Sequence, residues 1–371
     1  MTSLEAPEPT LVSARPAITA PLPPAPARQD VYPILAEPSY GRSRDGVTPY
    51  RPTAREVARA WLDAVDLRRG PSRIVPFLTA AFYLATAALT VVFVARGPSI
   101  RSLAFVAAGV ALISTVYNTI WLHRYCAHKA FNFRYPFLRQ LFLWTNPLFM
   151  REETYALPHH VHHAETEKPA DPYGPHLGWL GSFLAFEIMQ KTNTEIPPFR
   201  YEALKKLLAH VGIPVSSYES FRRTAAVEPI GHFVLRATVA QIVYGTATYL
   251  LGGTQLVLAW FAAVFVFNTL LRDFNWRGHG GSEAAREAAN RPGSSRARDQ
   301  WFYGWLAGEW HGQHHLHPRS ARAGIGPGQI DIAFAVIRLM HRAGLVASYH
   351  EARPWEVVVR GQGRTSAVRL R

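Results

Sequence analysis

The chain has 371 residues, with 40 Lys and Arg against 26 Asp and Glu, and one cysteine, Cys126. The lone thiol excludes an intramolecular disulfide framework, and the formal charge of +14 comes without a zinc finger or basic recognition helix, which argues against nucleic-acid binding. A soluble chain of this length would divide into two or three domains, but long uncharged runs point to an integral membrane protein instead.

Residues 1–52 are rich in Pro and Ala and lack hydrophobic periodicity, so they read as a disordered tail. The tail also lacks the charged start and compact apolar core of a secretory signal. Over Ala54–Leu67, the helical spacing of Val57, Trp61 and Val65 predicts an amphipathic helix lying along a membrane interface. Ile74–Ala95 then runs for 22 uncharged residues, enough at 1.5 Å per residue to cross about 30 Å of hydrocarbon. Ser102–Leu122 is a second such run, and Phe233–Leu251 and Leu256–Leu271 form a third and fourth, shorter and slightly more polar.

The connections predict the topology. Arg96–Arg101 and Gly252–Gln255 are tight links on one side of the membrane, so the tail, His123–His232 and the C-terminal hundred residues share the other side. That side carries nearly all the Lys and Arg, which makes it cytoplasmic. Arg68, Arg69 and Arg73, directly before the first span, add attraction to anionic lipid. Phe137–Met150 and Leu177–Met189 are apolar but too short to span, and read as interfacial or buried helices. Ile330–Leu345 carries a helical stripe of Ile332, Val336, Leu339 and Met340 that should pack back on the cytoplasmic cap. Arg236, near the start of the third span, is expected to snorkel to the interface, and Trp121 and Trp276 to anchor there. The expected fold is an all-α integral membrane protein: four transmembrane helices in two hairpins, under a cytoplasmic helical cap, formed by residues 53–371. The Ala, Arg and Pro content fits a GC-rich bacterial genome and hence an inner membrane.

Histidine carries the chemistry. The chain reads His123-Arg-Tyr-Cys-Ala-His128, His159-His-Val-His162-His163, Asn275-Trp-Arg-Gly-His279 and His311-Gly-Gln-His314-His315, with Asp171-Pro172 trailing the second cluster. Imidazole is the commonest transition-metal ligand, and one ion cannot use nine of them. The pattern therefore predicts a two-metal site. On a helix, positions i, i+3 and i+4 share one face, so His159, His162 and His163 point together, as do His311, His314 and His315, while Asn275 and His279 stand at i and i+4. His123 and His128, five apart, lie about 140° around an ideal helix. They converge only if the helix ends there, or they serve different metals. His160 and His317 fall off the arcs of their boxes and should not reach the metals. Cys126, inside the first box, is either a small core residue or a reactive thiol.

This ordered set (HRYCAH, HHVHH with a following Ala-Asp-Pro, NWRGH and Gly-Glu-Trp-HGQHH) resembles the membrane fatty acyl desaturases of the stearoyl-CoA desaturase type, over roughly residues 55–350. No Glu-x-x-His pair marks the carboxylate-bridged di-iron bundle. The resemblance implies two iron ions per chain held by His123, His128, His159, His162, His163, His279, His311, His314 and His315, with Asn275 joining through a bound water. It also implies O2 as co-substrate and a long acyl chain, on CoA or another acyl carrier, that loses two hydrogens from adjacent methylenes. No His-Pro-Gly-Gly haem motif occurs, so the electrons are expected from a separate donor of ferredoxin or cytochrome b5 type with its reductase. Glu309 and Asp171 are candidates to hydrogen-bond a ligand imidazole from behind or to cap a helix. The chain departs from the resemblance at Pro158, at the Tyr-Gly-Pro-His that follows Asp171-Pro172, and at His317. Within the same chemistry a hydroxylase or acetylenase is the alternative reading, and more remote are a zinc-dependent membrane lipid hydrolase and a non-catalytic receptor or metal store.

Overall fold

Helix α1, Ala54–Val65, begins where its sequence provides a reciprocal cap: the Thr53 hydroxyl accepts from the Glu56 N–H, and the Glu56 carboxylate accepts from the Thr53 N–H at 2.7 Å. Val57 and Ala64 are buried, with Trp61 and Val65 packed beside them. The computed structural model describes residues 33–36, 40–41, 50–166, 168, 170–279, 281, 310–325 and 328–352, with two strands at 358–361 and 364–367. Most of the 1–52 tail lies outside these residues, but Leu35 pairs with Thr192 in an isolated β-bridge.

Among the described residues, three helices are long and apolar enough to cross a membrane. The first contains α2, Ile74–Ala95. The second is α3, Ile100–Leu112, capped by the Ser99 hydroxyl and continued without interruption by a wider helix, Ile113–Ala127. The third, here α9, runs over Ile230–Arg277 and is broken at Gly252 and Gly253. Gly253 takes φ +65° with ψ −163°, a conformation open to glycine and strained for other residues. The chain doubles back at this break. Tyr244 and Trp260 stack with ring centroids 4.3 Å apart, whereas sixteen residues of unbroken helix would separate them by about 24 Å. Both halves pack on α2: Phe233 with Val75 in the first half, and Phe265 with Tyr83 in the second. Leu84, Val91, Val94, Ile100, Leu103, Ile242, Leu250 and Leu251 are exposed on these helices. An apolar surface of this extent favours lipid over water.

The remaining elements surround the ends of these helices: α4 (Pro136–Thr145), α5 (Glu152–Glu165), α6 (Gly178–Leu184), α7 (Pro198–Leu208), α8 (Tyr218–Thr224), α10 (His311–Leu316) and α11 (Ile332–Arg342). The protein is mostly helical, with two small antiparallel ladders among the described residues. Strand β1, Phe131–Phe133, pairs with β2, Val346–Tyr349, tying the residues just after the first histidine box to the C-terminal segment. Strands β3, Val358–Gly361, and β4, Arg364–Ala367, form a hairpin.

Three sequence expectations are corrected. Arg236 does not snorkel: it is 1% exposed and bridges Glu152 and Glu228, donating Nε to Glu228 Oε1 at 2.7 Å and Nη1 to the Leu143 carbonyl at 3.2 Å. A guanidinium with two buried carboxylates in reach gains more from pairing than from reaching for the interface. Trp121 is wholly buried rather than interfacial, its indole N–H donating to Glu152 Oε1 at 3.0 Å. On α11 the buried face is Ala333, Phe334 and Ile337, with Val336 and Met340 at its edge, while Ile332 and Leu339 are exposed. The predicted stripe was rotated by about one position because α11 packs on two neighbours, the widened helix and β2.

Candidate metal centre

The widened helix resolves the spacing of the first box. His128 N–H bonds the His123 carbonyl at 3.1 Å, an i+5 to i bond in place of the α-helical i+4. One turn of such a helix takes more residues, so positions five apart come to lie over one another. The His123 and His128 rings are 5.0 Å apart and join the same group.

All nine boxed histidines gather into two adjacent groups. One holds His123, His128, His159, His163 and His314, the other His162, His279, His311 and His315, and within each group the ligand nitrogens lie within 4.8 Å of one another. Each HxxHH box is divided between the groups. His159 and His163, four apart, lie 40° apart around α5 and face the first group; His162 lies about 100° from His163 and faces the second. On α10 the division is inverted: His311 and His315 face the second group and His314 the first. The repeated motif thus gives each metal position an i, i+4 pair from one helix and a single imidazole from the other. His163 and His315 stack at 4.4 Å where the groups meet.

Hydrogen bonding does not account for these contacts. His159 Nε2 lies 2.9 Å from His128 Nε2 and 3.1 Å from His163 Nε2. His314 Nε2 lies 3.0 Å from His123 Nε2 and 2.9 Å from His163 Nε2. His311 Nε2 lies 2.8 Å from His279 Nε2 and 3.2 Å from His315 Nε2. A neutral imidazole nitrogen has one proton or one lone pair, so with two ring nitrogens at this distance it makes at best one shared, weakened hydrogen bond. Convergence on a cation accounts for all six distances. At a metal–nitrogen distance of about 2.0–2.1 Å, ligands at right angles are about 2.9 Å apart and tetrahedral ones about 3.3 Å. The observed 2.8–3.2 Å falls in the range that ligands of one ion would span.

The environment keeps the donors ready. Burial first, then the positive charge that neighbouring rings would carry, holds His128, His159, His163, His311, His314 and His315 below the ordinary histidine range. Neutral rings keep the lone pair a metal needs. His162 Nδ1 donates to Asp171 Oδ1 at 2.8 Å, both side chains being buried, and its Nε2 is buried without a hydrogen-bond partner among the described residues. A carboxylate behind a metal-binding imidazole would fix its tautomer and aim, and Asp171 makes such a hydrogen bond to a boxed histidine. Glu309, the other candidate, lies outside the described residues. His160 and His317 belong to neither group; His160 bonds the Ala127 carbonyl instead.

A small cavity of about 30 Å³ touches both groups, lined by His123, His159, His162, His279, His311 and Asn275 and walled by Tyr155, Tyr173, Leu271 and Phe274. It has room for about one water. Buried Asn275 Nδ2 has no partner among the described residues, and the second group has four imidazoles against five in the first.

Several supporting residues escaped the sequence reading. Arg124, inside the first box, pairs with Asp331 at 2.9 Å and also donates to the Ala321 carbonyl, joining the first box to the segment after the last. Glu153, at the start of α5, accepts from the Val227 and Glu228 N–H groups at 2.9 and 2.6 Å. Their signal was present as charges flanking apolar sequence, which must find partners if buried. Cys126 is buried, the core alternative of its two readings.

The chain is 26% identical over 240 residues to an acyl-CoA 5-desaturase of Anemone leveillei, an alignment covering 62% of this chain and 65% of the relative. It is 27% identical over 242 residues to an acyl-CoA C20 Delta5-desaturase of the same organism, covering 62% and 67% respectively. The chain thus spans about two-thirds of the length of these relatives. The fatty acid desaturase family model matches residues 101–343, from the start of the second apolar helix to the end of α11 and so across every histidine box. The chain belongs to the fatty acid desaturase family.

Proposed function

We propose that the protein is an oxygen-dependent fatty acyl desaturase that introduces a double bond into a long acyl chain. The observation that carries this reading is the sorting of nine imidazoles into two touching groups, in a chain of the desaturase family. Iron is the metal that suits it: a redox-inert zinc site needs only three or four protein ligands, and imidazole also suits iron. His123, His128, His159, His163 and His314 would hold one ion and His162, His279, His311 and His315 the other, with Asn275 acting on the second through a water in the adjoining cavity.

When bound, the ions supply O2 activation, in which two hydrogens leave adjacent methylenes and O2 becomes two waters with two further electrons and two protons. The chain's own residues do the rest. Asp171 holds the His162 proton at Nδ1 and so directs Nε2 inward. Leu271 and Phe274 give the cavity an apolar wall, and Tyr155 and Tyr173 border it. The exposed apolar faces of α2, α3 and α9 sit in lipid, where an acyl substrate partitions. Both relatives are named as acyl-CoA desaturases, and CoA is the carrier proposed here.

In the same reading α9 contributes two spans that reverse at Gly252–Gly253, and with α2 and α3 they form two hairpins. Residues 53–371 make up the desaturase domain. The metal centre and both termini face the cytoplasm, in keeping with the basic segments on that side. A bacterial inner membrane is the setting favoured by composition. The electrons come from a separate acidic carrier of ferredoxin or cytochrome b5 type, drawn by the +14 charge.

Two measurements test the proposal: metal analysis of the purified protein, expected to give two irons per chain, and lipid profiling of cells with and without the gene, expected to show a new double bond at one position. One zinc per chain with an unchanged lipid profile would overturn it.

A further inference from the structure

His210 stands outside every histidine box, on the turn after α7, yet it reaches the first box from behind. The end of a helix leaves its last carbonyls without intrahelical partners. Here the Arg124 carbonyl takes the Ala130 N–H at 2.7 Å and the Tyr125 carbonyl takes the Lys129 N–H at 3.0 Å. An α-helical ending would give the Ala130 N–H to Cys126 instead. The released Cys126 carbonyl is met by His210, whose Nε2 lies 3.1 Å from it and 2.9 Å from the Tyr125 carbonyl. Carbonyls only accept, so His210 carries its proton on Nε2. The contact is reciprocal, since the Tyr125 hydroxyl donates to the His210 carbonyl at 2.8 Å. His160 meets the next carbonyl, that of Ala127.

These carbonyls lie between His123 and His128. The two imidazoles share a group only because the turn between them is wide. Rewinding that turn to α geometry would restore the Ala130-to-Cys126 bond and carry His128 about 140° away from His123. We propose that His210 is a positioning residue for the metal centre: by occupying the Cys126 carbonyl it blocks the rewinding and keeps His123 and His128 on one ion. This rests on the reading of the two histidine groups as metal sites, and it assigns His210 to the five-histidine group alone.

The test uses the full chain in detergent, loaded anaerobically with Co2+ or Fe2+, as wild type, His210→Gln and His210→Phe. The readouts are ions per chain, release to a competing chelator, the visible spectrum of bound Co2+, and thermal unfolding of the metal-free protein. Partners that act behind a ligand typically contribute 10–100-fold to metal affinity. His210→Phe should therefore release one ion at a chelator concentration about tenfold lower or more, with a changed Co2+ spectrum, and retain the other. His210→Gln, which still offers an N–H, should recover most of the difference. His210→Met replaces the Phe variant if that fails to fold. Wild-type release from His210→Phe, parallel loss of both ions, or a Gln variant no better than Phe would each overturn the role. A wild type that takes up no metal would instead sink the metal reading itself.

Discussion

Replacing Asp171 by alanine removes the carboxylate behind His162, a buried 2.8 Å contact that also accepts the Tyr173 N–H at 3.1 Å. A hydrogen bond to a charged group is worth about 1.5–3 kcal/mol, and each 1.4 kcal/mol is about tenfold in affinity. If the whole effect falls on the ion served by His162, its affinity should drop roughly 10–150-fold, in line with the usual effect of such partners. Asp171→Asn keeps an oxygen for both donors and loses only the charge. It should lie nearer the low end, about tenfold. The assay is chelator competition on anaerobically loaded protein, with His315→Ala and His163→Ala as references for the four- and five-histidine groups. Asp171→Ala should follow His315→Ala, loosening that ion first and leaving the other close to wild type. Wild-type affinity for both ions, or a pattern following His163→Ala, would refute the reasoning.

The division of the boxes makes a sharper claim than the boxes themselves. His159→Ala, His163→Ala and His314→Ala should weaken the same ion, and His162→Ala, His311→Ala and His315→Ala the other; ion-by-ion release that groups the variants by motif instead would contradict it. Asn275→Ala should be milder than His279→Ala in iron content and turnover, because its amide acts through water, and equal iron loss in the two would be the contrary result. Asp331 accepts from Arg124, Phe334, Ala323 and Gly324, and breaking a buried ion pair costs about 3–5 kcal/mol, so Asp331→Ala should unfold at markedly lower denaturant. Burial works to raise that carboxyl, but the Arg124 charge and the backbone N–H groups outweigh it and hold it below its ordinary value. Its stabilising effect is therefore complete above about pH 3.9 and lost as pH falls through the lower folded value. The wild-type advantage over Asp331→Asn should be flat near neutrality and shrink only in strong acid. Reduction by an acidic donor should slow as salt rises and the Debye length falls to about 8–10 Å, and a rate indifferent to ionic strength would argue against charge steering.

Patterns set by local geometry were legible in the amino-acid order. Apolar runs of membrane-crossing length and the i, i+3, i+4 boxes depend on spacing along one helix, and spacing is what a sequence records. From these alone came a mostly helical protein with apolar helices of spanning length and nine histidines for two metal positions. Which histidine joins which group was not legible, because the ligands of each group come from three chain segments, and the 100° between i+3 and i+4 turns one face toward two ions only when two helices meet. The pairing of His123 with His128 was hidden for another reason: it requires a turn widened by hydrogen bonds from His210, some eighty residues away in the chain. The burial of Arg236 and Trp121 was decided in the same way. A charge or an indole in an apolar run reads as interfacial until the fold brings Glu152 and Glu228 beside it, and only tertiary packing supplies buried carboxylates to make burial the lower free energy.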